Sequence, residues 1–160
     1  MLKFGLVTLG CDKNTVDSER YLADLVAYGG EQVTDLREAE VVVVNTCGFI
    51  DAAKAESIEA IVAAARLKED GTCQAVFAIG CMVERHKAEL EEALPEVDVF
   101  LGNSETDRLI PELVERGLLG GSLVEHPGVR LFGGDVPHVR YLKISEGCDH
   151  GCAFCAIPLM

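Results

Sequence analysis

Val41–Cys47 reads VVVVNTC: four β-branched residues in an unbroken apolar run, then two polar residues and a cysteine. A run without polar alternation predicts a strand buried on both faces, as in a parallel sheet covered by helices. The neighbouring segments repeat the theme. Phe4–Leu9 (FGLVTL), Ala75–Ile79 (AVFAI) and Val97–Leu101 (VDVFL) are short, apolar and bounded by polar or glycine-rich stretches.

Helical patterns fill the intervals. One begins near Asn14, a capping residue type, and runs to Tyr28 before Gly29-Gly30. A second spans Asp51 to Lys68, with Ile58, Ile61, Val62 and Ala65 in one stripe. A third runs from Glu84 to Leu94 and is closed by Pro95. Ser104 suits the cap of a fourth, which carries Leu109, Ile110, Leu113 and Val114. The alternation predicts an α/β fold over residues 1–116: an open parallel sheet with helices on both faces. From 117 to 138 six glycines, Pro127 and Pro137 predict a linker, with a short extended pairing at Val129–Phe132. Residues 139–160 read as the start of a second, truncated domain, opened by a strand at Tyr141–Ile144 (YLKI).

Composition narrows the function. Lys and Arg number 14 against 27 Asp and Glu, a formal charge of −13, and no basic cluster interrupts that balance. Nucleic-acid binding by this segment is therefore disfavoured, because phosphate contacts need cations. Neither a membrane-spanning run nor a convincing export signal is present. Seven cysteines without an export signal predict metal ligation in a reducing cytoplasm, rather than a disulfide framework.

Six of those cysteines fall into two sets. Cys148, Cys152 and Cys155 lie in GCDHGCAFC, a CxxxCxxC loop of the kind that holds three irons of a cubane cluster and leaves the fourth open for chemistry. Zinc, with His150 as a fourth ligand, is the competitor, although closed zinc sites usually draw on two separated pairs. Cys11, Cys47 and Cys81 are far apart, yet each follows the C-terminal end of a predicted strand. Those ends share one edge of a parallel sheet, the edge where ligands of open α/β folds bind. The three are thus expected to meet as a second three-thiolate site. Each has an adjacent glycine (Gly10, Gly48, Gly80), expected to let backbone approach a bulky cluster. A single strand-end cysteine would read as a buried small hydrophobe. Cys73 precedes a strand, fits neither set and reads as an incidental thiol.

These features together resemble the methylthiotransferases, a two-cluster family of radical S-adenosylmethionine (SAM) enzymes. GCDKNTVDSE (10–19), NTCGFID (45–51), the run 80–102 and YLKISEGCDHGCAFCAIP (141–158) are similar to its ribosomal-protein branch. Asp12 departs from that branch, where proline is common. The resemblance implies a radical SAM barrel beginning near residue 139 and two 4Fe-4S clusters. One would sit on Cys148, Cys152 and Cys155 with SAM at its open iron and Phe154 packed beside it, the other on Cys11, Cys47 and Cys81. It implies an electron donor such as flavodoxin or ferredoxin, and as substrate an aspartate β-carbon in the twelfth protein of the small ribosomal subunit. A tRNA methylthiotransferase acting on a modified adenosine and a non-catalytic iron–sulfur or zinc module are the alternatives.

Overall fold

The computed structural model describes residues 1–120, 129–132, 138–155 and 157–159. Five strands form one parallel sheet: β1 (Lys3–Thr8), β2 (Glu31–Gln32), β3 (Val41–Thr46), β4 (Ala75–Gly80) and β5 (Val99–Leu101), in the order β2-β1-β3-β4-β5. Among the described residues four α-helices accompany them: α1 (Asp12–Ala27), α2 (Asp51–Asp70), α3 (Cys81–Ala93) and α4 (Leu109–Glu115). The VVVV run is the centre of the sheet. Val41 pairs in register with Phe4 on one side and Ala75 on the other, and every residue of β3 is buried.

The side chains of β3 divide two cores between them. Val41 and Val43 join Phe4, Phe77 and Ile79 under α1 and α4, which supply Tyr21, Leu25, Leu109 and Leu113. Val42 and Val44 join Val76 and Ala78 under α2 and α3, which supply Ile61, Ala64, Met82 and Leu90. Period-two alternation thus feeds apolar groups to both faces, and helices cover both faces as expected. No helix among the described residues is long and apolar enough to cross a membrane.

Several local expectations need correction. Asn14 does not cap α1; the helix starts at Asp12 with Cys11 as the N-cap residue, and Asn14 is buried inside the first turn because its amide is needed elsewhere. Ile58 is 42 % exposed and lies off the apolar stripe of α2, whereas Ile61 and Ala65 are buried. The third helix begins at Cys81 rather than Glu84. Ser104 sits within a 3-10 stretch, Asn103–Arg108, its hydroxyl turned to Glu84 at 3.0 Å, so α4 starts only at Leu109. Tyr141–Ile144 is not a strand: no described segment pairs with it, and Leu142 and Ile144 are 81 % and 88 % exposed. Most of the 117–138 linker lies outside the described residues. Within it, Val129–Phe132 forms no strand pairing among the described residues; the Leu131 N–H donates to the Glu19 carbonyl on α1 at 3.1 Å.

Candidate metal centre

The strand order places a topological switch between β1 and β3. From β1 the chain leaves over one face through α1, and from β3 over the other through α2, which opens a crevice at their C-terminal ends. Cys11 caps α1 and Cys81 is the first residue of α3, so the partial positive charge of a helix start lies beside each. Cys47 follows β3 directly. All three line one cavity of about 590 Å³, with Phe49, Ile50 and Ala53 as its apolar wall.

Buried polar side chains hold the three loops together. The Asn14 amide donates to the Leu9 carbonyl at 2.7 Å and to the Thr46 carbonyl at 2.9 Å, tying the end of β1 to the end of β3. The Asn45 amide donates back to the Asn14 carbonyl and to Ser18 Oγ, both at 3.0 Å. Thr46 Oγ1 donates to the Ile79 carbonyl at 2.6 Å, tying β3 to β4. From α2, Ser57 accepts from the Cys47 N–H at 2.9 Å and donates to the Cys47 carbonyl at 3.1 Å. All but the Asn45–Ser18 bond satisfy a backbone group in a buried or part-buried place, and a fully buried orphan there would cost about 1–3 kcal/mol.

Two of the adjacent glycines are needed for the packing of the loops themselves. Gly10 (φ +96°) brings its loop so close to Cys47 that a β-carbon would stand 2.5 Å from Cys47 Cβ and 2.8 Å from its Sγ. Gly80 (φ +102°) is equally confined, by Asn45 Oδ1 at 2.5 Å. These residues let the cysteine loops pack against one another, and their positive φ excludes other side chains at little strain.

Cys81 has the richest polar surroundings of the three. Asn103 Nδ2 donates to its Sγ at 3.3 Å, Lys13 Nζ approaches at 3.7 Å, and its thiol faces Asn14 Oδ1 at 3.7 Å. Burial works against the Lys13 ammonium, but its hydrogen bond to Glu146 and the negative charges around it prevail and raise the lysine pKa. Lys13, Asn14, Asn45, Ser57 and Asn103 escaped the reading of the sequence. The signal for Asn14 and Asn45 was present: amides beside a cysteine loop in otherwise apolar or helical runs.

The terminal set is arranged differently. Cys148 and Cys152 are exposed and Cys155 half-buried, in a turn where the Cys155 N–H donates to the Cys152 carbonyl at 3.2 Å. Phe154 is 95 % exposed and packs on no described side chain. The segment just before this loop nevertheless reaches the first cavity, whose lining includes Ser145 and Gly147. Cys73 lies at the other end of the sheet, buried before β4 with its Sγ 3.5 Å from the Ala75 carbonyl; burial pushes its thiol pKa up.

The first set offers the donor atoms and the space that a cluster would need: three thiols on the rim of one roomy cavity, two of them at helix starts. The terminal loop offers three thiols within eight residues. Among the described residues, no three Cys, His, Asp or Glu side chains stand close enough as they are to hold a metal ion. The cysteines share a cavity without converging on a point.

Comparison with known proteins places these features in a family. The family described as "Uncharacterized protein family UPF0004" matches residues 3–102. A protein of Chloroherpeton thalassium named "Ribosomal protein uS12 methylthiotransferase RimO" is 46% identical over 161 residues, covering 99% of this chain and 35% of the relative. Proteins of the same name from Anaeromyxobacter sp. (strain Fw109-5) and Flavobacterium psychrophilum are 45% and 44% identical, covering 96% and 99% of this chain. The chain spans about a third of the length of these relatives.

Proposed function

The chain belongs to the UPF0004 family, the N-terminal domain of the methylthiotransferases, and from that premise we propose that it serves in methylthiolation of an aspartate in ribosomal protein uS12. The observation that carries the reading is that Cys11, Cys47 and Cys81, far apart in the chain, all line one cavity at the switch point of the sheet.

In this reading Cys11, Cys47 and Cys81 hold one iron–sulfur cluster, and Cys148, Cys152 and Cys155 hold a second together with SAM. Bound clusters and SAM supply hydrogen abstraction and sulfur delivery. The chain supplies position and shelter. Asn14, Asn45 and Thr46 fix the loops that carry the first three thiols. Phe49, Ile50 and Ala53 give the cavity an apolar wall, which limits water beside a reactive centre. Asn103 donates a hydrogen bond to Cys81 and Lys13 places a positive charge beside it. The acidic surface suits a basic ribosomal protein and repels free nucleic acid.

The test is a chimera in which this chain replaces the matching segment of a full-length relative. It is incubated anaerobically with SAM, a reductant such as flavodoxin or ferredoxin, and uS12. Mass spectrometry is expected to find the methylthio group on one aspartate, and Cys81→Ala to abolish that mass while SAM cleavage continues. A chimera that folds, binds iron and cleaves SAM yet never modifies uS12 would refute the substrate.

A further inference from the structure

Helix α1 does more than cover the sheet. Four of its residues reach toward the segment that precedes the terminal cysteine loop. Asp12 shares a hydrogen bond with the Tyr141 phenol. Lys13 Nζ pairs with Glu146 at 2.5 Å, Asp17 with Lys143 at 2.7 Å, and Glu19 with Arg130 at 3.2 Å. Lys143 also pairs with Glu146, which closes a chain of alternating charge: Asp17, Lys143, Glu146, Lys13. Its last member is the lysine that approaches Cys81 Sγ at 3.7 Å.

Position and burial separate this chain from ordinary surface pairs. The side chains of Asp17 and Lys143 are only 8 % and 15 % exposed, so each needs the other to offset lost hydration. Glu146 is followed at once by Gly147, which lines the first cavity, and by Cys148, the first thiol of the terminal set. From Val139 to Cys148 the chain forms neither helix nor strand. Side-chain ion pairs, rather than a backbone ladder, therefore locate this segment.

We propose that the Asp17–Lys143–Glu146–Lys13 chain is a clamp that fixes the terminal cysteine loop over the cavity of Cys11, Cys47 and Cys81, with Lys13 as the positioning residue common to both sites. The clamp itself follows from the ion pairs; its effect on the spacing of two clusters rests on the proposed function. Two thiolate sites that must act on one substrate atom need a fixed separation, and a small displacement of either is costly.

Lysine footprinting tests the clamp without any cluster. The chain is acetylated briefly and the reactivity of each lysine is read by mass spectrometry. Glu146→Gln should make Lys13 and Lys143 several-fold more reactive, with Lys54 and Lys87, which pair elsewhere, as unchanged references. Asp17→Asn should release Lys143 more than Lys13. Unchanged reactivity of Lys13 and Lys143 in Glu146→Gln overturns the clamp. If Asp17→Asn perturbs the core, the references move as well, and Glu146→Gln, at a half-exposed position, decides alone.

A second reading is made on protein loaded anaerobically with iron and sulfide. Magnetic coupling between the two reduced clusters, measured by electron paramagnetic resonance, should weaken in Glu146→Gln. Coupling that stays the same while the footprint changes would overturn the positioning role. Wild-type protein that loads iron at one triplet only would instead overturn the two-cluster reading, and the footprint would still decide the clamp.

Discussion

Asn14 shows how much a single residue carries. Its amide bridges carbonyls at the ends of β1 and β3, 32 residues away for the second of them. Asn14→Ala removes the partner of the buried Thr46 carbonyl and of the part-buried Leu9 carbonyl and is expected to cost about 2 kcal/mol of stability, measured by chemical denaturation; a loss under about 0.5 kcal/mol would mean that the bridge is not needed. Cys73 provides the opposite case. Since it sits at the far end of the sheet, Cys73→Ala should keep full iron content and an unchanged paramagnetic spectrum. A missing or altered signal would contradict the sheet-edge argument. The cysteine positions are legible in the sequence because each is defined locally, by the strand that precedes it. The bridges that Asn14, Asn45 and Asn103 make are not, since they run to residues far along the chain, and at Asn14 local pattern suggests a cap where a bridge stands.

At the scale of elements, strongly patterned segments were readable and weakly patterned ones were not. The apolar runs of β1, β3 and β4 announce themselves. β2 is two polar residues, Glu31–Gln32, held in place by pairing with β1 rather than by any pattern of its own. Tyr141–Ile144 has the composition of a strand but no strand partner among the described residues, and composition alone cannot supply one. The 3-10 stretch Asn103–Arg108 is set by contacts from α3, where Lys87 pairs with Glu105 at 2.6 Å. That hydrogen bond, with smaller help from the Gly102 N–H, holds the Glu105 pKa below the ordinary carboxylate value. A carboxylate depressed in the folded state stabilises above its unfolded pKa, about 4.3, and loses that contribution as pH falls through the folded value. Stability of the wild type should therefore drop more steeply below about pH 4.3 than that of Lys87→Met. Parallel acid profiles for the two proteins, followed by circular dichroism, would show that the pair contributes nothing to acid stability.

For the whole molecule, the sheet order matters most, because it brings three distant cysteines to one crevice and lays α1 beside the segment that leads to the other three. Tyr21, on the inner side of α1, reports on that assembly. Burial, then the charge of Asp17, raises its phenol pKa well above the ordinary range. A phenol whose pKa is raised on folding favours the folded state below its unfolded pKa, about 10, and opposes it as pH rises further. Alkaline unfolding should thus begin near about pH 10 and move upward in Tyr21→Phe; an identical alkaline midpoint in the variant would contradict the packing of α1.

The proposed function turns on Cys11, Cys47 and Cys81 forming one cluster site. Iron and acid-labile sulfide are counted per chain after anaerobic reconstitution, in the wild type and in the triple variant Cys11→Ala/Cys47→Ala/Cys81→Ala. The variant should keep about half of the wild-type iron and sulfide, held by the terminal loop, while its circular dichroism stays that of the folded sheet. A folded variant with the full wild-type content of both would mean that these three cysteines hold no cluster.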